Sequence, residues 1–140
     1  MGWLDVQFLD EGLHRVLFDA MPLPVFVVDS DVNILEYNAA GARLLVEGWQ
    51  TRKHRRGGDV LQCLHATESP GGCGRSASCS RCGLREAVNA AFRGRSVTRQ
   101  WAAMELNQKG KLAKVNLRVS CQPFSYGKSD FVLLVLEGLN

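Results

Sequence analysis

The chain has 140 residues, 46% hydrophobic and 22% charged, which fits one globular domain over 1–140 with a single core and excludes a disordered chain. Net charge is +3, but ten of the seventeen basic residues lie between Arg52 and Arg99 against three acids, Asp59, Glu68 and Glu86. That cationic middle could serve nucleic acid or an anionic cofactor, but no aromatic platform or recognition helix accompanies the Arg52-Lys53-His54-Arg55-Arg56 run, which reads as a solvated loop. Nucleic acid is therefore not the expected partner.

Residues 1–21 read as a helical flank. Leu13, Val16, Leu17 and Ala20 repeat at helical spacing, Asp10 is the expected N-cap, and Pro22 ends the run. An apolar helix of this kind must cover its own sheet or a partner chain. Met1-Gly2-Trp3-Leu4-Asp5 lacks the basic start and long apolar stretch of a signal peptide, and Val6 stands where an acylation signal needs Ser or Thr. Pro24 to Val28 is a buried strand, Asp29-Ser30-Asp31 a turn, and Asn33 to Tyr37 the returning strand. A short helix over Asn38 to Val46 follows, capped by Asn38, then a basic loop closed by Gly57-Gly58 and a short element at Asp59 to Gln62.

Beyond Cys82 a helix is expected, with Leu84, Val88, Ala91 and Phe92 on one face and Gly94 as its stop. Ser96 to Leu106 pairs across Asn107 to Gly110 with Leu112 to Phe124. In that second strand Val115, Leu117, Val119 and Cys121 alternate with polar residues, so one face is buried and Cys121 is a small core hydrophobe. Tyr126 to Ser129 makes the last turn before a strongly apolar strand from Asp130 to Leu139. Its apolar run, Phe131 to Leu136, is too short to span a bilayer, so no membrane association is expected and the location expected is cytoplasmic. Trp3, Trp49 and Trp101 read as core or interface residues. The order predicts an α+β domain with an antiparallel sheet and helices on one face.

Between these halves lies CLHATESPGGCGRSASCSRC, residues 63–82, with four of the five cysteines spaced C-x9-C-x5-C-x2-C. So polar a stretch cannot build a core, and in a reducing compartment Cys63, Cys73, Cys79 and Cys82 are expected as metal ligands rather than a disulfide framework. Thiolates suit both zinc and iron–sulfur clusters. Zinc knuckles ordinarily come as two C-x-x-C pairs, whereas only Cys79 and Cys82 are so spaced, which tilts the reading towards a cluster with zinc as the alternative. Gly71, Gly72, Gly74 and Gly83 permit tight turns around sulfur, and Arg75, Arg81 and Arg85 offset the negative charge of a thiolate-ligated centre. His65 is a candidate substitute ligand, though its bland role is to pack beside the site. His54 is expected in solvent, and His14 has no partner visible in the sequence.

Leu17 to Leu45, LFDAMPLPVFVVDSDVNILEYNAAGARLL, resembles the opening hairpin and helix of the PAS family of sensory domains. The specific part is the Asp29 turn, the strand Ile34-Leu35-Glu36-Tyr37 and the following Asn38-Ala39-Ala40, and the three C-terminal strands complete the resemblance. It implies a PAS fold: a five-stranded antiparallel sheet with short helices on one face and an N-terminal helix. Val32 departs from it, since the family often has Gly in this turn; with Asn33 adjacent, a shifted turn is expected. The resemblance further implies an input module for a histidine kinase or other output domain, not an enzyme, and a homodimer through the N-terminal helix.

The segment at 63–82 then replaces the helices that line the cofactor side. It is similar to PAS domains of bacterial sensor kinases that hold an iron–sulfur cluster there, and implies sensing of redox state or oxygen. Three other readings remain. One is an interaction module with a structural zinc. Another is a thiol oxidoreductase using Cys79-x-x-Cys82. The last is a photoreceptor, for which Cys63 with Tyr37 is similar to photoactive yellow proteins, but Gly41 stands where an acid is needed.

Overall fold

The computed structural model describes residues 11–44, 82–108 and 111–138. Helix α1 (Glu11–Ala20) leads to strands β1 (Val25–Val28) and β2 (Ile34–Tyr37) and the single-turn helix α2 (Ala39–Ala42). Helix α3 (Gly83–Phe92) is followed by β3 (Val97–Gln108), β4 (Lys111–Tyr126) and β5 (Ser129–Glu137). The strands form one antiparallel sheet in the order β2-β1-β5-β4-β3, so the first and last strands of the chain meet at its centre. Helix α2 ends at Ala42 with Arg43 as its C-cap, shorter than expected; residues 1–10, Leu45 and Val46 of that expected helix, and the elements expected from Gln50 to Gln62 lie outside the described residues.

The core follows from the strand alternation. Phe26 pairs with Leu134 and Leu134 with Cys121, which carries one buried row across β1, β5 and β4. Leu117, Val119 and Cys121 are buried as their alternation predicts, and Ala102 and Met104 extend the surface onto β3. Helix α3 closes this face with Leu84, Ala87, Val88 and Ala91. Ala87 belongs to that face although its small side chain gave no signal in the sequence, and Phe92 is only half-buried. Each fully buried Val or Leu removed from water contributes about 1.5–3 kcal/mol, so this seam is the main source of stability. Helix α3 ends as its Gly94 suggests. Gly94 has φ 87°, its N–H donates to Ala91 O at 2.9 Å, and the N–H of Arg95 donates to Ala90 O at 2.9 Å, the two bonds of a Schellman cap.

Both long hairpins run further than periodicity indicated, to Gln108 and Lys111 on one side and Tyr126 and Ser129 on the other. Gly127, at φ 63°, takes the left-handed position of the two-residue Gly127-Lys128 loop that joins β4 to β5. Strand β5 stops at Glu137, where Gly138 turns away at φ 102°. A bulge between Val97 and Gln100 places Arg99 at φ 47°, its N–H donating to Ser120 Oγ at 2.9 Å.

Of the core and interface roles open to Trp101, the core one is not taken: it is 61% exposed on the far face of the sheet, with the Arg118 guanidinium 4.1 Å above its ring. Helix α1 packs on α2, and Val16 and Leu17 are exposed. Its anchor is polar. Arg15 donates to Glu36 Oε1 at 2.8 Å, to Asp19 and to Tyr37 O, and these bonds, Glu36 first and Asp19 second, raise its pKa. No helix among the described residues is long and apolar enough to cross a membrane.

Candidate functional site

Of the four cysteines singled out by spacing, Cys82 lies within the described residues; Cys63, Cys73, Cys79 and the candidate substitute ligand His65 lie outside them. Cys82 is the N-cap residue of α3, in extended backbone geometry with φ −69° and ψ 120°. Its thiol makes no capping hydrogen bond, and its half-buried side chain rests against the core. The backbone carbonyl of Cys82 accepts the first helical bond, from Glu86 N at 2.9 Å. Among the described residues no group of three or more His, Cys, Asp or Glu side chains is arranged to hold a metal ion.

The first turn of α3 is held at two points. Gly83 sits so close to β3 that an added Cβ would meet the Ala102 Cβ at 2.9 Å, which makes glycine the residue that lets helix and strand touch. Two residues on, Arg85 reaches across to the β1–β2 turn. Its guanidinium donates to Asp31 Oδ1 at 3.1 Å and to Asp31 O at 3.2 Å. These groups are largely screened from solvent, 15% and 32% exposed at their side chains, so the contact is stronger than an open surface pair. Arg85, expected to balance charge near sulfur, has the carboxylate of Asp31 in another element among its partners.

The turn it grips is tightly ordered. The Asp29 carboxylate accepts from Asp31 N at 3.0 Å, from Asn33 N at 2.9 Å and from Asn33 Nδ2 at 3.0 Å. Val32 N donates to Asp29 O at 2.9 Å, and Asp29 N to Asn33 O at 3.2 Å. Within this cage Val32 itself has φ 62°. The pairing of β1 with β2 does slip by one residue beside the turn, between Val27 and Val28, in keeping with the expected shift, and Val32 still takes a positive φ. The β-branched residue adopts the conformation a glycine would take, a placement costing about 1–3 kcal/mol. It is retained because the side chain is 1% exposed in the core and because Asp29 satisfies the backbone on both sides.

Asn38 does more than cap α2. Its Oδ1 accepts from Gly41 N at 2.8 Å and from Val25 N at 3.0 Å, and its Nδ2 donates to Leu23 O at 2.9 Å. One buried amide thus ties the α1–β1 link, the start of β1 and α2. The Cβ position of Gly41 is crowded, 3.1 Å from the Phe26 ring and 3.2 Å from Asn38 Oδ1, so a side chain there would require the ring or the amide to give way by a few tenths of an ångström. Cys121 is 2% exposed, and burial pushes its thiol up from the ordinary value of 9.0 to about 12. It is a structural hydrophobe, held protonated and unreactive. Tyr37 is half-buried against the core, and His14 is on the exposed side of α1.

Comparison with known proteins accords with this geometry. The family model described as PAS domain matches residues 12–77. No curated protein matches the sequence. The PAS domain of nitrogen regulation protein NR(II) from Vibrio parahaemolyticus superposes with a TM-score of 0.57 at 14% identity, over 91% of this chain and 98% of that one. A PAS domain from a two-component sensor histidine kinase gives a TM-score of 0.62 at 10% identity, over 95% and 99%. The PAS domain of an HTR-like protein from Haloarcula marismortui gives 0.51 at 20% identity, over 91% and 90%. At such identities the likeness is one of fold.

Proposed function

We propose that this chain, a PAS domain by its fold and by its amino-terminal family match, is the sensory input module of a signalling protein whose Cys63, Cys73, Cys79 and Cys82 hold an iron–sulfur cluster. The observation that carries the reading is the position of Cys82. It stands at the start of the helix that closes the sheet, with a thiol committed to no capping bond and a side chain against the core. The donor set fits: four thiolates meet the needs of a sulfur-ligated centre, and clustered cysteines with glycine between them can converge on one metal site.

Such a centre would supply redox or gas reactivity when bound. The chain's own residues do the rest. Cys82 fixes the ligand segment to α3, α3 holds the sheet, and the hairpin answers through Arg85 and Asp31. By analogy with the sensor-kinase PAS domains it resembles in fold, its output would be a histidine kinase or other domain, with a homodimer formed through α1 and the residues before it. The apolar side chains of Val16 and Leu17, exposed on α1, favour that pairing.

The zinc alternative keeps the same ligands with a structural purpose. The two separate on one preparation. Anaerobically purified protein is expected to be brown, with broad visible absorbance and matched iron and acid-labile sulfide. Colourless protein carrying one zinc per chain would sink the cluster and leave the zinc module standing.

A further inference from the structure

We propose that the first turn of α3 is a lever that couples the position of Cys82 to the strained β1–β2 turn, with Gly83 on Ala102 as its fulcrum and the Arg85–Asp31 contact as its grip. The idea rests on the reading above for what moves Cys82, and on the described residues alone for how the movement travels.

The fulcrum is the Gly83–Ala102 contact. With no side chain between helix and strand, α3 cannot move closer to β3 at this point, so displacement of Cys82 turns the helix start instead of sliding it. Arg85 lies two residues beyond the fulcrum on the same turn, and its planar guanidinium holds both the carboxylate and the carbonyl of Asp31. A fork of that kind depends on angle as well as distance, so turning the helix weakens both bonds together. Asp31 is next to Val32, the residue at φ 62°. A turn stored in a costly conformation persists while its surroundings over-determine it, and it relaxes when one restraint is withdrawn. Asp29 provides the restraints internal to the turn, and Arg85 provides one from another element. Strand β1, which leads into that turn, pairs directly with β5 at the centre of the sheet, so relaxation of the turn reaches the strand that the rest of the domain is built on.

The test needs no metal. Hydrogen exchange is followed at the amides of Asp31, Val32 and Asn33 in the wild type, Cys82→Phe, Arg85→Met and the double variant, with β4 and β5 amides reporting the global fold. A bulky side chain at position 82 displaces the helix start as a change of ligation would. Cys82→Phe should exchange about fivefold faster at these three amides, as expected for loss of one partly buried charged contact, with β4 and β5 unchanged. Arg85→Met should do the same, and the double variant no more than either. Additive effects, or turn amides in Cys82→Phe that keep wild-type exchange, would overturn the lever. If β4 and β5 also lose protection in Cys82→Phe, the milder Cys82→Val is read by the same criteria. Metal and sulfide content of the wild type judges the cluster separately, so a metal-free protein with a coupled turn, or a loaded protein with an uncoupled one, assigns failure to the right claim.

Discussion

Substitution of Val32 tests the energetic account of the β1–β2 turn, because opposing terms there cancel the usual advantage of alanine over glycine. Val32→Ala removes two buried methyl groups, at about 0.8 kcal/mol each plus a term for the cavity left, and keeps a side chain at φ 62°. The expected loss is about 2 kcal/mol. Val32→Gly removes one carbon more, a further ~0.8 kcal/mol, and costs about 0.5–1 kcal/mol in chain entropy, but relieves a left-handed conformation worth about 1–2 kcal/mol for a residue bearing a Cβ. The glycine variant should therefore be about as stable as the alanine variant.

Val28 is the control: it is 0% exposed, in extended strand geometry, and faces the same core. There Val28→Gly should fall below Val28→Ala by about 1 kcal/mol or more, since burial and chain entropy both count against glycine. Urea unfolding followed by far-ultraviolet circular dichroism, with a common m-value, measures all four. If Val32→Gly were less stable than Val32→Ala by the margin seen at Val28, the turn would not be strained and the reasoning would fail.

Other outcomes follow from the same contacts. Asn38→Ala leaves Val25 N, Gly41 N and Leu23 O without their shared partner, and should lower unfolding free energy by about 3 kcal/mol or more in the same urea assay. Burial of the neutral Cys121 thiol contributes stability that is fully present below the unfolded pKa of 9.0 and is lost as pH rises towards the folded value of about 12. Thermal unfolding between pH 9 and 12 should thus fall less steeply in Cys121→Ala than in the wild type; an unchanged slope would count against the burial assigned to this thiol. Arg15→Ala breaks exposed contacts, so global stability should change by less than about 1 kcal/mol, while amide exchange in α1 accelerates selectively.

The sheet was legible because its signals are periodic. Val115, Leu117, Val119 and Cys121 alternate without interruption, and the Phe131 to Leu136 run has room for little else than a central strand. Asn38 was legible as a cap for a local reason, its bond to Gly41 N three residues on, whereas its bonds to Leu23 and Val25 depend on a chain reversal that no local pattern announces. At Val32 the sequence pointed to a shifted turn, and the register does slip beside it, but the positive φ of Val32 itself was not legible because β-branched residues avoid that region. Trp101 was open to a core or an interface role on residue type alone, and it lies exposed with the Arg118 guanidinium over its ring. For the proposed site, spacing singled out four cysteines as candidate ligands, and of these Cys82 stands at the head of α3. Arg85 was read by its charge alone, since its partner lies 54 residues away.

A sulfur-ligated centre anchored on the helix that closes the sheet must lose its metal when Cys82 is replaced. Iron, zinc and sulfide content of anaerobically prepared wild type, Cys82→Ser and Cys121→Ala tests it most directly. The account predicts iron and sulfide in the wild type, their retention in Cys121→Ala, and their loss in Cys82→Ser with the sheet still folded. Equal metal content in wild type and Cys82→Ser, or none in any of the three, would contradict it.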